Sequence, residues 1–302
     1  MKNYPIQLSA FIAIRDVEKY IEEWINFYLL VGVQHFVIYD YGSKDNTPEI
    51  IQPYIKRGII DYRYLTSPFL NEVKRVHPNR WFETLSLSHR LEVLNEYKTV
   101  CKWMCFFDID EFTFPFDKNK DLLDILQKYE EFAALHVNWV MFGDSGEKEY
   151  KNDYVINRFN KRALLDCPDN EHCKVICRPD RVDFHKSALA VNPHYFFYKD
   201  GYTGVNEDKE GVGMSHKRVD GEVHENEHLA FSAHPERRKI IRCNHYHFKS
   251  SEEFQEKLDK HVKGGINQRH REQSFMFNEE QDDLIKRYIP LLNSINLHNY
   301  ML

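Results

Sequence analysis

Trp103-Met104-Cys105-Phe106-Phe107-Asp108-Ile109-Asp110-Glu111-Phe112 is an apolar run that breaks off into a cluster of carboxylates. A run this short, bounded by charge, predicts a buried central strand over 101–107. Acidic groups at the carboxyl end of such a strand stand where open α/β sheets bind ligands. On an extended chain, Asp108 and Asp110 project to the same side. Two carboxylates there repel unless a cation or a proton lies between them. A hard divalent ion such as Mg²⁺ or Mn²⁺ resolves the repulsion and completes its shell with water and substrate phosphates. The stretch therefore points to a metal–phosphate site, with a solvated acidic turn as the plain alternative.

Upstream, the chain alternates between strand and helix patterns. Leu8 to Ile14 predicts a first strand, and Asp16 an N-cap for the helix that follows, with Glu18, Glu22 and Glu23 near its positive end. Tyr20, Ile21, Trp24, Ile25, Tyr28 and Leu29 recur at helical spacing as a buried face, and Gly32 ends the helix. A second strand over 34–39 closes on Asp40. Thr47-Pro48-Glu49 opens another helix, Gly58 stops it, and 59–65 is a third strand. This order predicts an α/β fold with a mostly parallel central sheet flanked by helices. Downstream, helices are expected over 80–97, 121–130, 155–162, 252–262 and 279–292. Strands are expected over 132–142, 175–178 and 237–247. Residues 199–229, polar and rich in His and Glu, read as a mobile loop. With no linker in sight, 1–302 reads as a single domain.

Composition narrows the function classes. Hydrophobic residues at 42% and aromatics at 14% of 302 residues exclude general disorder. A net charge of -6 gives no global basic field, against a dedicated nucleic-acid binder. No stretch approaches the roughly 18–20 apolar residues of a membrane span. Met1-Lys2-Asn3-Tyr4-Pro5 opens too short an apolar segment for a signal peptide, so the chain reads as soluble and cytoplasmic. Cys101 and Cys105 look like core packing. Cys167, Cys173 and Cys177 lack the tight spacing of zinc ligands, a structural zinc that also uses Cys243 being the alternative. Arg237-Arg238-Lys239 with Lys217-Arg218 could meet an anionic glycolipid or a membrane surface, or form a solvated face.

Several of these stretches, in this order, resemble one family. Arg15 to Trp24 running into Gly32 to Asp40 and Gly42-Ser43-Lys44-Asp45 is similar to the first unit of the family 92 glycosyltransferases and their family 2-like relatives. Phe107-Asp108-Ile109-Asp110-Glu111-Phe112 resembles that family's metal-binding DxD followed by Glu-Phe. Trp139 to Gly143 with Ser145-Gly146, Arg158-Phe159, Lys174 to Pro179, and His245-Tyr246 resemble its later landmarks. The resemblance implies the GT-A (nucleotide-diphospho-sugar transferase) fold. It implies inverting transfer of a sugar, galactose from UDP-galactose foremost, from a nucleotide-sugar donor onto a glycan or glycolipid, with Mn²⁺ or Mg²⁺ as cofactor. A donor half over about 1–115 and an acceptor half over 116–302 follow. Asp144 departs from the pattern, standing where a small polar residue is expected.

Within that resemblance, Asp108, Asp110 and His245 are the metal candidates, and Glu111 would orient them. His247 should face the other side of its strand, and His194 is a reserve. Arg15, Asp16, Asp40, Asp45, Asp108 and Lys174 are candidates for the nucleotide sugar. The plain alternatives are a turn-holding Asp40, an Asp45 that caps the helix near Thr47, a surface ion pair for Arg15, and a solvated strand edge for Lys174 and Arg178. Asp144 is the candidate base for the acceptor hydroxyl, with Asp153 as competitor or helix cap. Trp81 and Trp139 could stack on sugars or sit in the core. Three rivals remain: a dehalogenase-like phosphatase, a nucleotidyltransferase, and a non-catalytic sugar-binding scaffold. The first would want Thr or Val where Phe112 stands. The second would want a glycine-rich loop where Ala13-Ile14-Arg15-Asp16 has none.

Overall fold

The structure, a computed structural model, describes residues 3–77, 81–189, 194–215, 229–261 and 277–295. Its first half is a parallel sheet. β1 (Ile6–Ile14), β2 (His35–Asp40), β3 (Ile60–Tyr64) and β4 (Cys101–Phe106) lie in the order β3-β2-β1-β4. α1 (Ile21–Leu30) and α2 (Thr47–Lys56) make the first two crossovers, and α3 (Ser67–Val76) with α4 (Trp81–Tyr97) the third. All four strands run the same way, so their carboxyl ends, and the loops after them, share one edge of the sheet. Gly32 ends α1 at φ +101, a backbone that L side chains rarely adopt, and the space its Cβ would need is filled by the Asp121 carboxylate at 3.0 Å.

Beyond β4 the sheet becomes mixed. β5 (Glu111–Pro115), β6 (Ala134–Met141), β7 (Lys161–Arg162), β8 (Cys173–Cys177), β9 (Gly204–Val205), β10 (Met214–Ser215), β11 (Leu229–Ala230), β12 (Ile241–His245) and β13 (Glu280–Gln281) complete the strands. β8 is antiparallel to both β4 and β6. β12 is parallel to β6 and antiparallel to β5, giving a nine-stranded sheet with β9 beside β6. α5 (Leu122–Leu126), α6 (Val155–Arg158), α7 (Phe184–Leu189), α8 (Ser251–His261) and α9 (Ile289–Ser294) flank this half. The α/β class with a central sheet and flanking helices is as expected.

Four local expectations are corrected. Asp16 does not cap α1: it sits at φ +52, its N–H donates to Ser43 Oγ and its carboxylate accepts from Lys44 N, while α1 starts at Ile21. Docking onto the 43–44 loop wins over capping. The helix expected over 155–162 stops at Arg158 and yields to β7, because Arg162 pairs with β13. Residues 279–292 divide into β13, a 3₁₀ turn over Leu284–Tyr288 and α9. Of 199–229, residues 216–228 lie outside the described residues. The rest is tied down, since the Glu207 carboxylate accepts from Lys239, Ile240 and Ile241 N–H at 2.5, 3.0 and 3.1 Å.

α1 positions the acidic turn. Its face Ile21, Trp24, Ile25, Phe27 and Tyr28 is buried against the sheet; each large side chain contributes about 1.5–3 kcal/mol. The same face carries polar handles. Trp24 Nε1 donates to the Asp108 carbonyl at 2.9 Å, and Tyr28 OH donates to the Glu111 carbonyl at 3.0 Å. The Tyr28 ring stacks on Phe107 at 5.3 Å.

Glu23, also on α1, is buried and accepts from the Val155 and Ile156 N–H groups at the start of α6, at 2.8 and 3.1 Å. Burial raises its carboxyl from 4.5 to about 7, with the two N–H groups opposing. A raised carboxyl binds its proton more tightly folded than unfolded. Stability should therefore be full below the unfolded value of 4.5 and decline as pH rises toward 7, by about 3 kcal/mol. Chemical unfolding of Glu23→Gln between pH 4.5 and 7 should show that slope flattened; an unchanged slope would place the titration elsewhere.

Candidate active site

The acidic stretch does not continue β4 as an extended strand. It folds into a turn in which Glu111 N donates to the Asp108 carbonyl at 3.0 Å and Asp108 N donates to Glu111 Oε2 at 2.9 Å. This turn sends the two aspartates to different partners. Asp108, half exposed, meets Lys174 Nζ at 2.5 Å, with Arg90 Nη2 at 3.7 Å from its other oxygen. Desolvation works to raise its carboxyl, but Lys174 and Arg90 outweigh it and hold Asp108 below its ordinary value. Lys174 rises from β8, is fully buried, and also lies 3.2 Å from Glu111 Oε2. Burial pushes the Glu111 carboxyl up to about 8, with the Lys174 charge opposing.

Asp110 is buried and faces the other way. Burial would raise it, but Lys257 Nζ at 2.8 Å and Lys249 Nζ at 3.9 Å keep it well below the carboxylate range; His245 Nε2 lies 3.7 Å away. Asp110, His245 and His247 can each offer a ligand atom, all within 4.8 Å of one another. His245 stands opposite Glu111 in the β12–β5 register and packs on Trp139 at 4.4 Å. Burial lowers its imidazole to about 3, so the ring is neutral, as a ligand requires. His245 Nδ1 is buried with no hydrogen-bond partner, as is Glu111 Oε1. One carboxylate and two imidazoles, with an orphaned ring nitrogen among them, fit a divalent transition ion such as Mn²⁺.

His247 joins this group against the expectation that it faces away. Residues two apart on an extended chain share a side, so strand alternation itself sets His247 beside His245, and the expectation fails for that reason. Asp108, expected among the ligands, is directed to Lys174 instead. His194 Nδ1 lies 3.0 Å from the Cys173 carbonyl, and its ring meets Trp139 edge-on. All six cysteines are free thiols, and among the described residues none joins a metal-competent group.

The loop after β6 adjoins the cluster, where Phe142 N donates to the His245 carbonyl at 3.0 Å. Gly143 N donates to both the Lys161 and Phe277 carbonyls, and a Cβ there would come within 2.8 Å of the Phe277 oxygen. That close approach brings in Asn278, whose Nδ2 donates to Asp144 Oδ1 at 2.8 Å; Gly146 N donates to the same oxygen. Asp144 then lines a pocket of about 200 Å³ with Phe248, Lys249, Ser250 and Phe254. Asp153 is exposed and is not among the residues of that pocket. Its oxygens accept from Tyr154 N and Asn157 Nδ2 at the start of α6.

At the ends of β1 and β2 the carboxylates hold loops. Asp40 accepts from Ser43 N and Tyr62 OH, both at 2.7 Å. Asp45 accepts from Glu18 N and Thr47 N, both at 3.0 Å. Arg15 pairs with Asp16 at 3.5 Å and lies over Trp81. Arg178 is not a strand-edge charge; it is buried beside Trp103 and pairs with Asp180. Arg238 is likewise buried, bonded to Asn138, Ser232 and the Ala233 carbonyl and paired with Asp208. Lys217 and Arg218 lie outside the described residues. No described helix is long and apolar enough to cross a membrane. Arg90, Lys249 and Lys257 are site residues with no local sequence signal.

The model of one family, Glycosyltransferase family 92, matches residues 14–219. A glycosyltransferase family 92 protein of Ricinus communis is 26% identical over 216 residues, covering 70% of this chain and 35% of its own length. A galactan beta-1,4-galactosyltransferase of Arabidopsis thaliana is 25% identical, covering 67% of this chain and 36% of its own length. The chain thus spans about a third of the length of these curated relatives. Among solved structures, S. aureus TarS aligns over 98% of this chain and 76% of its own, at 13% identity and a TM-score of 0.37.

Proposed function

The chain belongs to glycosyltransferase family 92, and from that premise we propose that it is a GT-A enzyme moving a sugar from a UDP-sugar onto a glycan or glycolipid, with Mn²⁺ or Mg²⁺. One observation carries the reading: Asp110, His245 and His247 converge just past the carboxyl end of a central strand. These three residues would hold the ion, which when bound offsets charge on the departing diphosphate. Lys174 and Arg90 keep Asp108 ionised and half exposed, able to accept bonds from donor hydroxyls. Asp144 takes the proton of the acceptor hydroxyl as general base, its loop held by Gly143 and Asn278. Phe248 and Phe254 give the pocket an apolar wall suited to the C–H face of a pyranose, and Ser250 and Lys249 the polar end. Galactose as the donor sugar is supported by the name of the Arabidopsis relative.

The test is nucleotide release from UDP-, GDP- and CMP-sugars, with Mn²⁺ and with chelator. Slow hydrolysis of one UDP-sugar, abolished by chelator and accelerated by a galactan oligosaccharide, is the expected result. No release from any donor, together with no Mn²⁺-dependent nucleotide binding, would sink the reading and favour a non-catalytic sugar-binding protein.

A further inference from the structure

We propose that Lys257 is a tethered cation that occupies the position of the divalent ion and must be displaced for the ion to bind. This rests on the reading that Asp110, His245 and His247 hold that ion. Lys257 Nζ lies 2.8 Å from Asp110 Oδ2, and 3.2 Å from both His247 Nδ1 and the His247 carbonyl oxygen. It thus contacts two of the three prospective ligand residues at once. An ammonium and a divalent ion cannot share those atoms. An ion bound to Asp110 would sit about 2.0–2.2 Å from its oxygen, inside the space the ammonium now fills, and the two like charges repel at short range.

The fold supplies a route for the exchange. Lys257 lies on α8, anchored by Phe254 and Leu258 in a small apolar cluster with Met141 and Phe248. Its side chain is 25% exposed, so the four-carbon stem can swing the ammonium into water while the helix stays docked. Lys249 differs. It is 6% exposed, 3.9 Å from Asp110 Oδ2, and held over the Tyr20 ring, so it stays at the edge of the site. The consequence is an ion site that is never bare. Without metal, the buried Asp110 keeps a counter-charge, and the divalent ion binds by exchange with it.

The test titrates MnCl₂ alone into the full chain and reads free Mn²⁺ by electron paramagnetic resonance. The arms are wild type, Lys257→Met, Lys249→Met, and Lys257→Met combined with Asp110→Asn. Lys257→Met should bind Mn²⁺ at least tenfold more tightly than wild type, Lys249→Met should gain clearly less, and the double variant should lose binding. Equal gains in the two lysine variants would overturn the exchange, since removing any nearby positive charge would then suffice. Unchanged or weaker binding in Lys257→Met, with binding still dependent on Asp110, would overturn the proposal and leave the metal reading standing. No Mn²⁺ binding in either protein would remove both.

Discussion

Asp110→Ala should lower donor turnover about a thousandfold and abolish Mn²⁺ binding, while the protein remains folded. Asp110 is the only carboxylate in the ligand group, so its loss removes the one anion that could neutralise an incoming dication. Stabilisation of a leaving diphosphate by a bound ion is worth several kcal/mol, and about 4 kcal/mol corresponds to the thousandfold. The fold should tolerate the change because Lys257, the closest cation to Asp110, can turn to solvent. Lys249 retains the Tyr20 ring, and Asp110's backbone carbonyl still accepts from Tyr246 N. Steady-state nucleotide release, far-UV circular dichroism and Mn²⁺ titration check the three parts. A variant that keeps a tenth of wild-type turnover in Mn²⁺ would refute a metal centre at this residue.

The region around Asp110 also shows what can be read in the chain and what cannot. β1, β2 and β4 are legible because each is a short apolar run bounded by a turn signal, and their order dictates the parallel half of the sheet. The later strands are harder. β8 is a five-residue run carrying Lys174, and β12 mixes Ile241 and Cys243 with Arg242, Asn244 and His245, so nothing local gives their antiparallel and parallel partners. The identity of the site follows the same division. Asp110 and His245 announce themselves, one by ending a strand in acid and the other by its place in the family pattern. His247 is legible by the same rule used for Asp108 and Asp110, since residues two apart on an extended chain share a face. Arg90, Lys249 and Lys257 lie far from Asp108 and Asp110 in sequence, on α4, after β12 and on α8. Their roles are set by three-dimensional charge balance, which no local pattern encodes. Asp40, which ends β2, and Asp45, in the loop after it, show the converse: carboxylates in suggestive places whose oxygens accept bonds from Ser43, Tyr62, Glu18 and Thr47.

Lys174→Met should be the most destabilising single change in the site, by about 3–5 kcal/mol in urea unfolding. Lys174 Nζ has no exposure to water and faces Asp108 and Glu111 at 2.5 and 3.2 Å. Removing the buried lysine takes away the main counter-charge of the half-exposed Asp108 and the cation beside the fully buried Glu111. Asp108 is then left with Arg90, at 3.7 Å, and Glu111 with the N–H of Asp108. Glu111→Gln in the same background should recover part of the loss, about 1–2 kcal/mol, because an amide of the same shape is spared the cost of holding the Glu111 proton as pH rises. The pH dependence has a definite sign in chelated protein. Burial already raises the Glu111 carboxyl from 4.5 to about 8, with Lys174 opposing, so loss of the lysine drives it higher. Lys174→Met should therefore lose stability steadily as pH rises above 4.5, and the double variant that adds Glu111→Gln should be flatter over the same range. Strict additivity of the two substitutions would mean that Lys174 and Glu111 are not electrostatically coupled. The buried lysine would then serve Asp108 alone, and its loss would show in donor turnover rather than in the pH dependence of folding.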